Sequence, residues 1–307
     1  MDLSVVLPVY NEEGNLMPLT EELVTVLDEN YGEWEIIFVD DGSIDGSWKV
    51  LKKLKQVFNG LKLVKFRRNY GQTQAIQAGL EKATGDYVVT MDSDMQNDPA
   101  DIPRLESVLK ERNADMVNGW RKNRKDPLIK KLFSNFAARL RKFLIDTDLN
   151  DYGCTLRIMT LECAKNISMK GELHRYIPPL VEMDGYYVAE AEVNHRPRRS
   201  GNSRYSFLRI PKGFIDLINI WLRKRYRRRI LHIFGGLGLL SIGVGFILML
   251  VAFFQKIEGT SLSDTGATVL SALFIIMGIQ LFVSGFISDI IIKNLDHKDY
   301  VVDDWVE

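Results

Sequence analysis

Two long uncharged runs near the C-terminal end limit most strongly what this chain can fold into. Residues 231–254 contain no Asp, Glu, Lys or Arg, and residues 265–288 contain no ionisable side chain. A helix of about 20 apolar residues is long enough to span the hydrocarbon core of a bilayer. Two buried core helices are the alternative, but two runs of this length with a short polar loop between them favour a membrane hairpin. We therefore predict two transmembrane helices, at about 231–254 and 265–290.

Basic residues flank both predicted spans on the outer sides of the hairpin. Lys293 and Lys298 follow the second span, and six basic residues precede the first: Arg223, Lys224, Arg225, Arg227, Arg228 and Arg229. The positive-inside rule places such flanks in the cytoplasm, and the loop at 255–264 outside. The chain begins with a strand-like segment and no basic leader, so no signal peptide is predicted. We expect an integral membrane protein with its N-terminal domain and both termini in the cytoplasm.

Other features narrow the class of protein. Cys154 and Cys163 have neither the number nor the spacing of a disulfide framework or zinc site. The arginines crowd residues 196–229, next to a membrane span, which argues against a nucleic-acid partner and for contact with anionic lipid. Small residues of the first span would let helices approach closely, which leaves homo-oligomerisation open. They are Gly238, Ser241 and Gly245.

The first 200 residues alternate short β-rich runs with amphipathic stretches. Such alternation predicts an α/β domain with a mostly parallel sheet, in which ligands bind beyond the carboxyl ends of the strands. The predicted helices are 15–27 and 46–58, and the predicted strands are 3–7, 35–39, 61–66, 87–91 and 115–118.

Acidic and turn residues follow these strands. Taken singly, Asn11 reads as a helix cap, Asp41 as part of a turn and Asp45 as a further cap. Taken together, acids at neighbouring strand ends repel one another unless a cation or hydrogen-bond donors compensate them. A divalent cation is the simplest compensation.

One of these strand ends has the ligands for such a cation. Asp92 and Asp94 are two residues apart where the chain turns, and Gln96 adds an amide oxygen. Oxygen ligands suit Mg²⁺ or Mn²⁺, which keep several waters and bridge substrate phosphates. The pattern therefore predicts a nucleotide diphosphate as ligand.

Five motifs in order carry a resemblance to a known family: PVYNE at 8–12, DDGS at 40–43, RNYGQ at 68–72 with Gly79, DSDMQNDP at 92–99, and RRSGNSRY at 198–205. Over residues 2–210 the chain resembles the inverting family-two glycosyltransferases of GT-A (Rossmann-like) fold, in particular the polyprenyl-phosphate glucosyl- and mannosyltransferases. The resemblance implies that Asp92 contacts nucleotide or metal and that Asp94 and Gln96 hold the metal. It implies a nucleotide site that contains Pro8, Tyr10, Asn11, Glu12, Asp40 and Gln72.

The acceptor substrate is predicted from the absence of the motifs that supply a catalytic base in related enzymes. Transferases that deprotonate a sugar hydroxyl need a carboxylate base, but the Glu-Asp pair and the Gln-x-x-Arg-Trp motif of related enzymes are absent, and residues 151–157 read DYGCTLR. A polyprenyl phosphate is already an anion and needs only cationic positioning. With Asp94, the predicted catalytic residues are Arg121, Lys130, Ser134 and Arg198, and the further cations are Arg124, Arg199 and Arg204. The family often has arginine where Lys130 stands.

The predicted domains are a cytoplasmic GT-A domain (1–205), interfacial juxtamembrane helices (206–229), the transmembrane hairpin (230–293) and a cytoplasmic tail (294–307). The segment at 206–222 is apolar on a broad helical face, as in helices that lie at a membrane interface. This segment would bring the phosphate of a lipid to the acid-rich crevice at the strand ends. Residues 120–131 could form a loop that closes over this crevice.

The expected reaction is metal-dependent transfer of a hexose with inversion, from UDP-glucose first or GDP-mannose next. Two alternatives stay open: transfer to a lipid-linked glycan or glycolipid, and an inactive homologue that acts as an assembly subunit.

Overall fold

A computed structural model describes residues 1–122, 149–167, 169, 173–197, 230–257, 266–294 and 302–306. The described residues fall into two compact units, one within 1–218 together with 299–307, and the other within 219–298. The predicted interfacial helices at 206–229 and most of the predicted outer loop lie outside the described residues.

The first unit is built on one mixed sheet. Its described strands are β1 (Leu3–Val9), β2 (Trp34–Asp40), β3 (Leu61–Phe66), β4 (Tyr87–Thr90), β5 (Met116–Trp120), β6 (Arg157–Thr160), β7 (Val188–Glu192) and β8 (Val302–Val306). They are arranged in the order β7-β5-β6-β4-β1-β2-β3-β8. The four neighbours β4, β1, β2 and β3 run parallel, which confirms the predicted α/β arrangement. β1 is buried along its whole length, as expected for a parallel sheet covered on both faces.

Helices cover this sheet. They are α1 (Glu13–Asn30), α2 (Ser47–Val57), α3 (Gln72–Lys82), α4 (Ile102–Glu111), α5 (Leu161–Asn166) and α6 (Ile177–Met183), with 3-10 turns at Pro99–Asp101 and Leu173–Tyr176. α1 shows why they pack: Leu16, Leu19, Leu23 and Leu27 recur at helical spacing and are all fully buried. The apolar faces of α1, α2 and α4 form a core cluster with one face of the sheet.

Three strands were not predicted from the sequence. β6 pairs antiparallel with both β4 and β5, and β7 runs parallel to β5. β8 comes from residues 302–306, which were predicted as a tail, and pairs antiparallel with β3. These strands have only four or five residues each, and their pairing partners lie far away in sequence.

The second unit is a hairpin of α7 (Ile230–Ile257) and α8 (Gly266–Asn294). Both helices are long and apolar enough to cross a membrane, and most of their residues are not buried by protein. A Cβ added to Gly238 would lie 2.7 Å from the carbonyl oxygen of Gly278. Ser241 donates a 2.7 Å hydrogen bond to the carbonyl of Phe274. The small residues noted in the sequence therefore let α7 and α8 pack against each other within one chain.

Candidate active site

A cavity of about 290 Å³ opens at the carboxyl ends of the parallel strands, where the topology predicts a ligand site. The Ser93 hydroxyl, beyond β4, donates a 2.8 Å hydrogen bond to the carbonyl of Pro8 and so joins two of these strand ends. The cavity is lined by Pro8, Val9, Tyr10, Glu12, Asp41, Asn69, Gly71, Gln72, Asp92, Ser93 and Asp94. Of the predicted nucleotide and metal residues, Asn11, Asp40 and Gln96 do not line it.

Asn11 joins two loops at the rim. Its side-chain oxygen accepts the Ile44 N–H at 2.9 Å, and its own N–H donates to the Ser43 hydroxyl at 3.0 Å. The backbone of Asn11 has φ 58°, in the left-handed region that asparagine tolerates better than most residues. Asn11 thus braces the β1–α1 loop against the β2–α2 loop.

The two consecutive acids after β2 have different surroundings. Asp40 is fully buried; its Oδ1 accepts the Ser43 N–H at 3.0 Å, while its Oδ2 has no hydrogen-bond partner in the described residues. Burial raises the pKa of Asp40 above its ordinary value. Asp41 accepts the backbone N–H groups of Tyr70 and Gly71 at 2.6 and 2.9 Å. Burial raises the pKa of Asp41 to about 6. The sequence motifs predicted Asp40 in the nucleotide site, but they did not reveal that Asp41 accepts these two backbone hydrogen bonds.

Asp92 lies in the cavity wall beyond β4. Its Oδ1 accepts a 2.6 Å hydrogen bond from the side-chain amide of Gln72, the first residue of α3. Burial first, and then the negative charge of Asp94, raise the pKa of Asp92 to about 6. These are the surroundings of a carboxylate that gains from a nearby cation.

Asp94 is buried, and the turn that follows it is tight. Its Oδ1 accepts the Gln96 N–H at 3.1 Å. Between them, Met95 has φ 61°, a left-handed conformation that is uncommon for a residue other than glycine, asparagine or aspartate. Strained backbone of this kind is frequent at binding sites.

The cavity suits a divalent cation held jointly by protein and substrate. Asp92 and Asp94 both line it, while the described residues contain no group of three or more His, Cys, Asp or Glu side chains placed to hold a metal by themselves. Mg²⁺ and Mn²⁺ bind through one or two carboxylates together with phosphates and water. The donor set therefore fits the predicted metal.

Arg121 is held by an ion pair with Asp151. Its Nε and Nη2 donate to the two oxygens of Asp151 at 2.7 and 2.9 Å. Burial alone would raise the pKa of Asp151, but the guanidinium outweighs burial and holds that pKa below its ordinary value. Asp151 is in turn held by its own N–H, which donates to Glu190 at 2.9 Å.

Arg157 is a buried cation that the sequence analysis did not identify as functional. It is 1% exposed, and it donates to Asn118 Oδ1 and to the carbonyls of His174 and Tyr152 at 2.9, 3.1 and 3.2 Å. Burial lowers the pKa of Arg157 to about 10. An arginine at the first position of a short β-rich run, RIMT, was the signal that could have drawn attention to it.

The chain returns beside the acidic loop after β7. His195 forms an antiparallel bridge with Asn97, and the Arg196 N–H donates to the Gln96 carbonyl at 2.9 Å. The Arg196 side chain also bonds to Asp98 at 2.8 Å. The predicted basic motif begins two residues later. The residues just before this motif, His195 and Arg196, therefore lie next to the loop that contains Asp94. The other predicted cations and the predicted serine lie outside the described residues: Arg198, Arg199, Arg204, Arg124, Lys130 and Ser134.

Comparison with known proteins agrees with this geometry. Residues 4–165, more than half of the chain, match the family described as Glycosyl transferase family 2. The chain belongs to glycosyltransferase family 2. Residues 218–302 match a domain of unknown function.

Two curated relatives match almost the whole chain. It is 34% identical to the dodecaprenyl-phosphate galacturonate synthase of Rhizobium johnstonii, over 97% of this chain and 90% of the relative. It is 33% identical to the undecaprenyl-phosphate 4-deoxy-4-formamido-L-arabinose transferase of Aeromonas hydrophila, over 94% of this chain and 88% of the relative. The names of both relatives combine a polyprenyl phosphate with a sugar, one as a synthase and the other as a transferase.

Among solved structures, the chain is similar to glucosyl-3-phosphoglycerate synthase from Mycobacterium tuberculosis in complex with Mn²⁺, UDP-glucose and phosphoglyceric acid. The TM-score is 0.55 at 18% identity, over 73% of this chain and 79% of the other. At this identity the likeness shows the fold, which is GT-A as predicted.

Proposed function

We propose that this family 2 member transfers a sugar from a nucleotide-sugar to a polyprenyl phosphate, with inversion, at the cytoplasmic face of the membrane. One observation carries the choice of acceptor. In the segment where a general base would lie, the acid present is Asp151, and it is bound bidentately by Arg121. A carboxylate with a lowered pKa in an ion pair is a poor base. The site therefore suits an acceptor that needs no deprotonation.

The donor half of the proposal rests on the acid-lined cavity. Asp92 and Asp94 would hold Mg²⁺ or Mn²⁺, which when bound neutralises the charge that develops on the leaving nucleoside diphosphate. Tyr10, 39% exposed at the rim, offers a ring for contact with the nucleoside. Of the two acids that follow β2, Asp41 lines this cavity and Asp40 does not.

The acceptor half rests on Arg121, which does not line the cavity but interacts electrostatically with Asp92 in the cavity wall. In the described part of the chain, Nε and Nη2 of Arg121 are bound to Asp151, and no hydrogen bond engages its Nη1. That nitrogen is a donor for an acceptor phosphate, and the motif that starts at Arg198 would add further cations. A phosphate oxygen held there would attack the anomeric carbon in line with the leaving group. A single displacement of this kind inverts the configuration.

The described C-terminal strand supports the proposed topology. β8 follows both apolar helices in sequence, yet it pairs with β3 in the sheet that carries the cavity. A chain that crosses a bilayer twice returns to the side from which it started. The pairing therefore supports a common, cytoplasmic location for the catalytic domain and both termini, in line with the basic flanks.

The sugar is proposed as a hexose, from UDP-glucose first and GDP-mannose next. The two named relatives use other sugars, so the decisive assay is a donor panel. Purified protein in detergent would receive radiolabelled UDP-glucose, GDP-mannose and the nucleotide forms of galacturonate and 4-deoxy-4-formamido-L-arabinose, each with a short polyprenyl phosphate. We expect a lipid-extractable product from one donor with Mn²⁺, none in chelator, and none from Asp94→Asn.

Each other outcome has a definite meaning. Robust transfer in chelator would exclude the metal-dependent mechanism. Nucleotide binding without lipid product across the panel would favour a lipid-linked glycan or glycolipid as acceptor, or an inactive homologue that serves as an assembly subunit. Asp28→Asn, an exposed acid that accepts a hydrogen bond from Trp34, is the matched control for the charge removed at Asp94.

A further inference from the structure

Arg157, at the start of β6, is a cation that a substrate cannot reach. It is 1% exposed and does not line the cavity. Each of its three guanidinium nitrogens donates a hydrogen bond inside the protein, to the Asn118 side chain and to the carbonyls of His174 and Tyr152. All three partners are uncharged, and a charge buried among neutral partners is costly. Such a residue calls for an explanation in what its partners do.

The bond to His174 anchors the guanidinium to regular structure. His174 lies in the 3-10 turn Leu173–Tyr176, and its Nδ1 lies 2.9 Å from the hydroxyl of Thr73 in α3. The His174 N–H also donates to that hydroxyl, at 3.3 Å. Arg157 is therefore held between β6 and a turn that is bonded to α3.

The other two bonds lead to the segment at 149–156, which is neither helix nor strand. Nη2 of Arg157 binds the Tyr152 carbonyl directly, at 3.2 Å. Nε donates to Oδ1 of Asn118, which is fully buried in β5, and Nδ2 of Asn118 donates to the Asp151 carbonyl at 2.6 Å. A side-chain amide can face either way, and the donor at Oδ1 turns Nδ2 toward Asp151. Two consecutive carbonyls of the segment thus depend on Arg157.

The segment in turn sets the direction of Arg121. The two carboxylate oxygens of Asp151 accept from Nε and Nη2 of Arg121 at 2.7 and 2.9 Å, so the carboxylate decides where Nη1 points. The Asp151 N–H is also bound by Glu190 at 2.9 Å. Because of this second anchor, a change at Arg157 should shift the segment without releasing it.

We propose that Arg157 is a positioning residue of the acceptor site: through Asn118 and the Tyr152 carbonyl it holds the segment that carries Asp151, and so directs Arg121 toward the acceptor phosphate. The inference rests on the proposed function in one respect, that Arg121 binds the phosphate of a polyprenyl phosphate. Since Arg157 is buried, any effect of its replacement on acceptor binding is relayed by protein.

The test is binding to the full-length protein in detergent, measured by calorimetry. The two ligands are UDP or GDP with Mn²⁺, and a short polyprenyl phosphate added to the protein that holds that nucleotide. Lysine keeps the charge near Asp92, but its ammonium cannot reproduce the planar fork of arginine. Arg157→Lys should therefore raise the Kd of polyprenyl phosphate on the order of tenfold. The Kd of the nucleotide should not change.

A second variant cuts the same relay one step later. Asn118→Asp leaves Arg157 in place and still accepts from its Nε, but a carboxylate cannot donate to the Asp151 carbonyl. This variant should weaken the binding of polyprenyl phosphate in the same way and leave nucleotide binding unchanged. It decides the question if Arg157→Lys does not fold.

A buried charged residue elsewhere in the sheet controls for a general loss of stability. Glu35 in β2 is also 1% exposed and accepts a 2.7 Å hydrogen bond from the Thr84 N–H. Glu35→Gln should unfold more readily than the wild type but bind both ligands equally well.

A double variant separates a relay through Arg121 from a general structural effect. With Arg121→Ala already in place, Arg157→Lys should weaken acceptor binding no further, because the side chain through which it acts is gone. A further loss as large as that in the wild-type background would overturn the relay.

The remaining outcomes distinguish this inference from the proposed function. Wild-type protein that binds nucleotide but not polyprenyl phosphate would overturn the proposed acceptor and this inference with it. Wild-type protein that binds both ligands, with Arg157→Lys and Asn118→Asp equal to it, would overturn only the role of Arg157. Equal losses of nucleotide and acceptor binding in these variants would show a general effect on the fold and would also overturn that role.

Discussion

The side-chain amide of Gln72 donates a 2.6 Å hydrogen bond to Oδ1 of Asp92. The two residues lie on different elements: Gln72 begins α3, and Asp92 follows β4. The bond orients one carboxylate oxygen of Asp92. It also supplies a neutral donor to a partly buried acid whose neighbour, the buried Asp94, has the same charge.

Loss of this bond should impair catalysis more than stability. A hydrogen bond to a charged group contributes about 1.5–3 kcal/mol, so Gln72→Ala should reduce kcat/KM for the nucleotide-sugar by about tenfold or more. Gln72→Glu should reduce kcat/KM further, because it places an additional negative charge next to Asp92. Gln56→Glu, at an exposed position of α2, is the control. Activity of Gln72→Glu equal to that of the wild type would contradict the assignment.

Donor binding should weaken as the pH falls through about 6. Burial, and then the charge of Asp94, raise the pKa of Asp92 to about 6, so below that pH a proton competes with the metal for this carboxylate. The measurement is the Mn²⁺-dependent Kd of an intact nucleotide-sugar between pH 5 and 7.5, since its doubly esterified diphosphate does not titrate there. A Kd that stays constant down to pH 5 would count against Asp92 as a metal ligand.

Asp151→Asn should retain transfer activity. If Asp151 serves only to hold Arg121, its amide variant should lose about tenfold or less in kcat. Removal of a true general base would cost about 10²–10⁴-fold. Single-turnover transfer to polyprenyl phosphate measures the difference. A loss in the larger range would make Asp151 the base and favour a hydroxyl acceptor.

Glu35 should contribute strongly to stability. It is 1% exposed, pairs with Lys62 at 2.8 Å, and accepts from the Thr84 N–H at 2.7 Å and from the Ser4 hydroxyl. Removal of one partner of a buried pair costs about 3 kcal/mol, so Glu35→Ala should unfold much more readily in thermal scans. Glu21→Gln, on the exposed face of α1, should not.

The same group predicts a pH dependence. Burial acts to raise the pKa of Glu35, but the bonds from Lys62, Ser4 and Thr84 outweigh it and hold that pKa below its ordinary value of 4.5. Its contribution is therefore present above about pH 4.5 and is lost as the pH falls through the lower, folded-state pKa. The difference in unfolding temperature between wild type and Glu35→Gln should shrink in that acidic range. A difference that does not change with pH would contradict this.

The helical hairpin should tolerate a larger side chain at Gly243 but not at Gly238. A Cβ on Gly238 meets the Gly278 carbonyl oxygen at 2.7 Å, whereas a Cβ on Gly243 meets nothing within 4 Å. Gly238→Ile should therefore separate α7 from α8 and lower the unfolding temperature in detergent, and Gly243→Ile should not. Similar losses in both variants would indicate that Gly243 packs against a second copy of the chain.

Much of the candidate site was predictable, because acids that follow parallel strands meet at one sheet edge. The structure brings Pro8, Tyr10, Glu12, Asp92 and Asp94 to one cavity, as the motifs implied. It places Asn11 in a loop brace instead. Asn11 shares a motif with residues that do line the cavity, and a motif does not show which of its side chains turns inward.

The sequence by itself determined the features that depend on local pattern: two apolar helices of spanning length, a parallel α/β core, and acids after the strands. Tertiary structure decided which groups bond to which. Asp41 meets a loop 29 residues away, Arg121 meets Asp151 across 30, and β8 joins the sheet next to β3 after two intervening apolar helices. The physical reason is that hydropathy and turn chemistry are properties of neighbouring residues. The partner of a buried charge or of an edge strand is set by which distant segments the fold packs together.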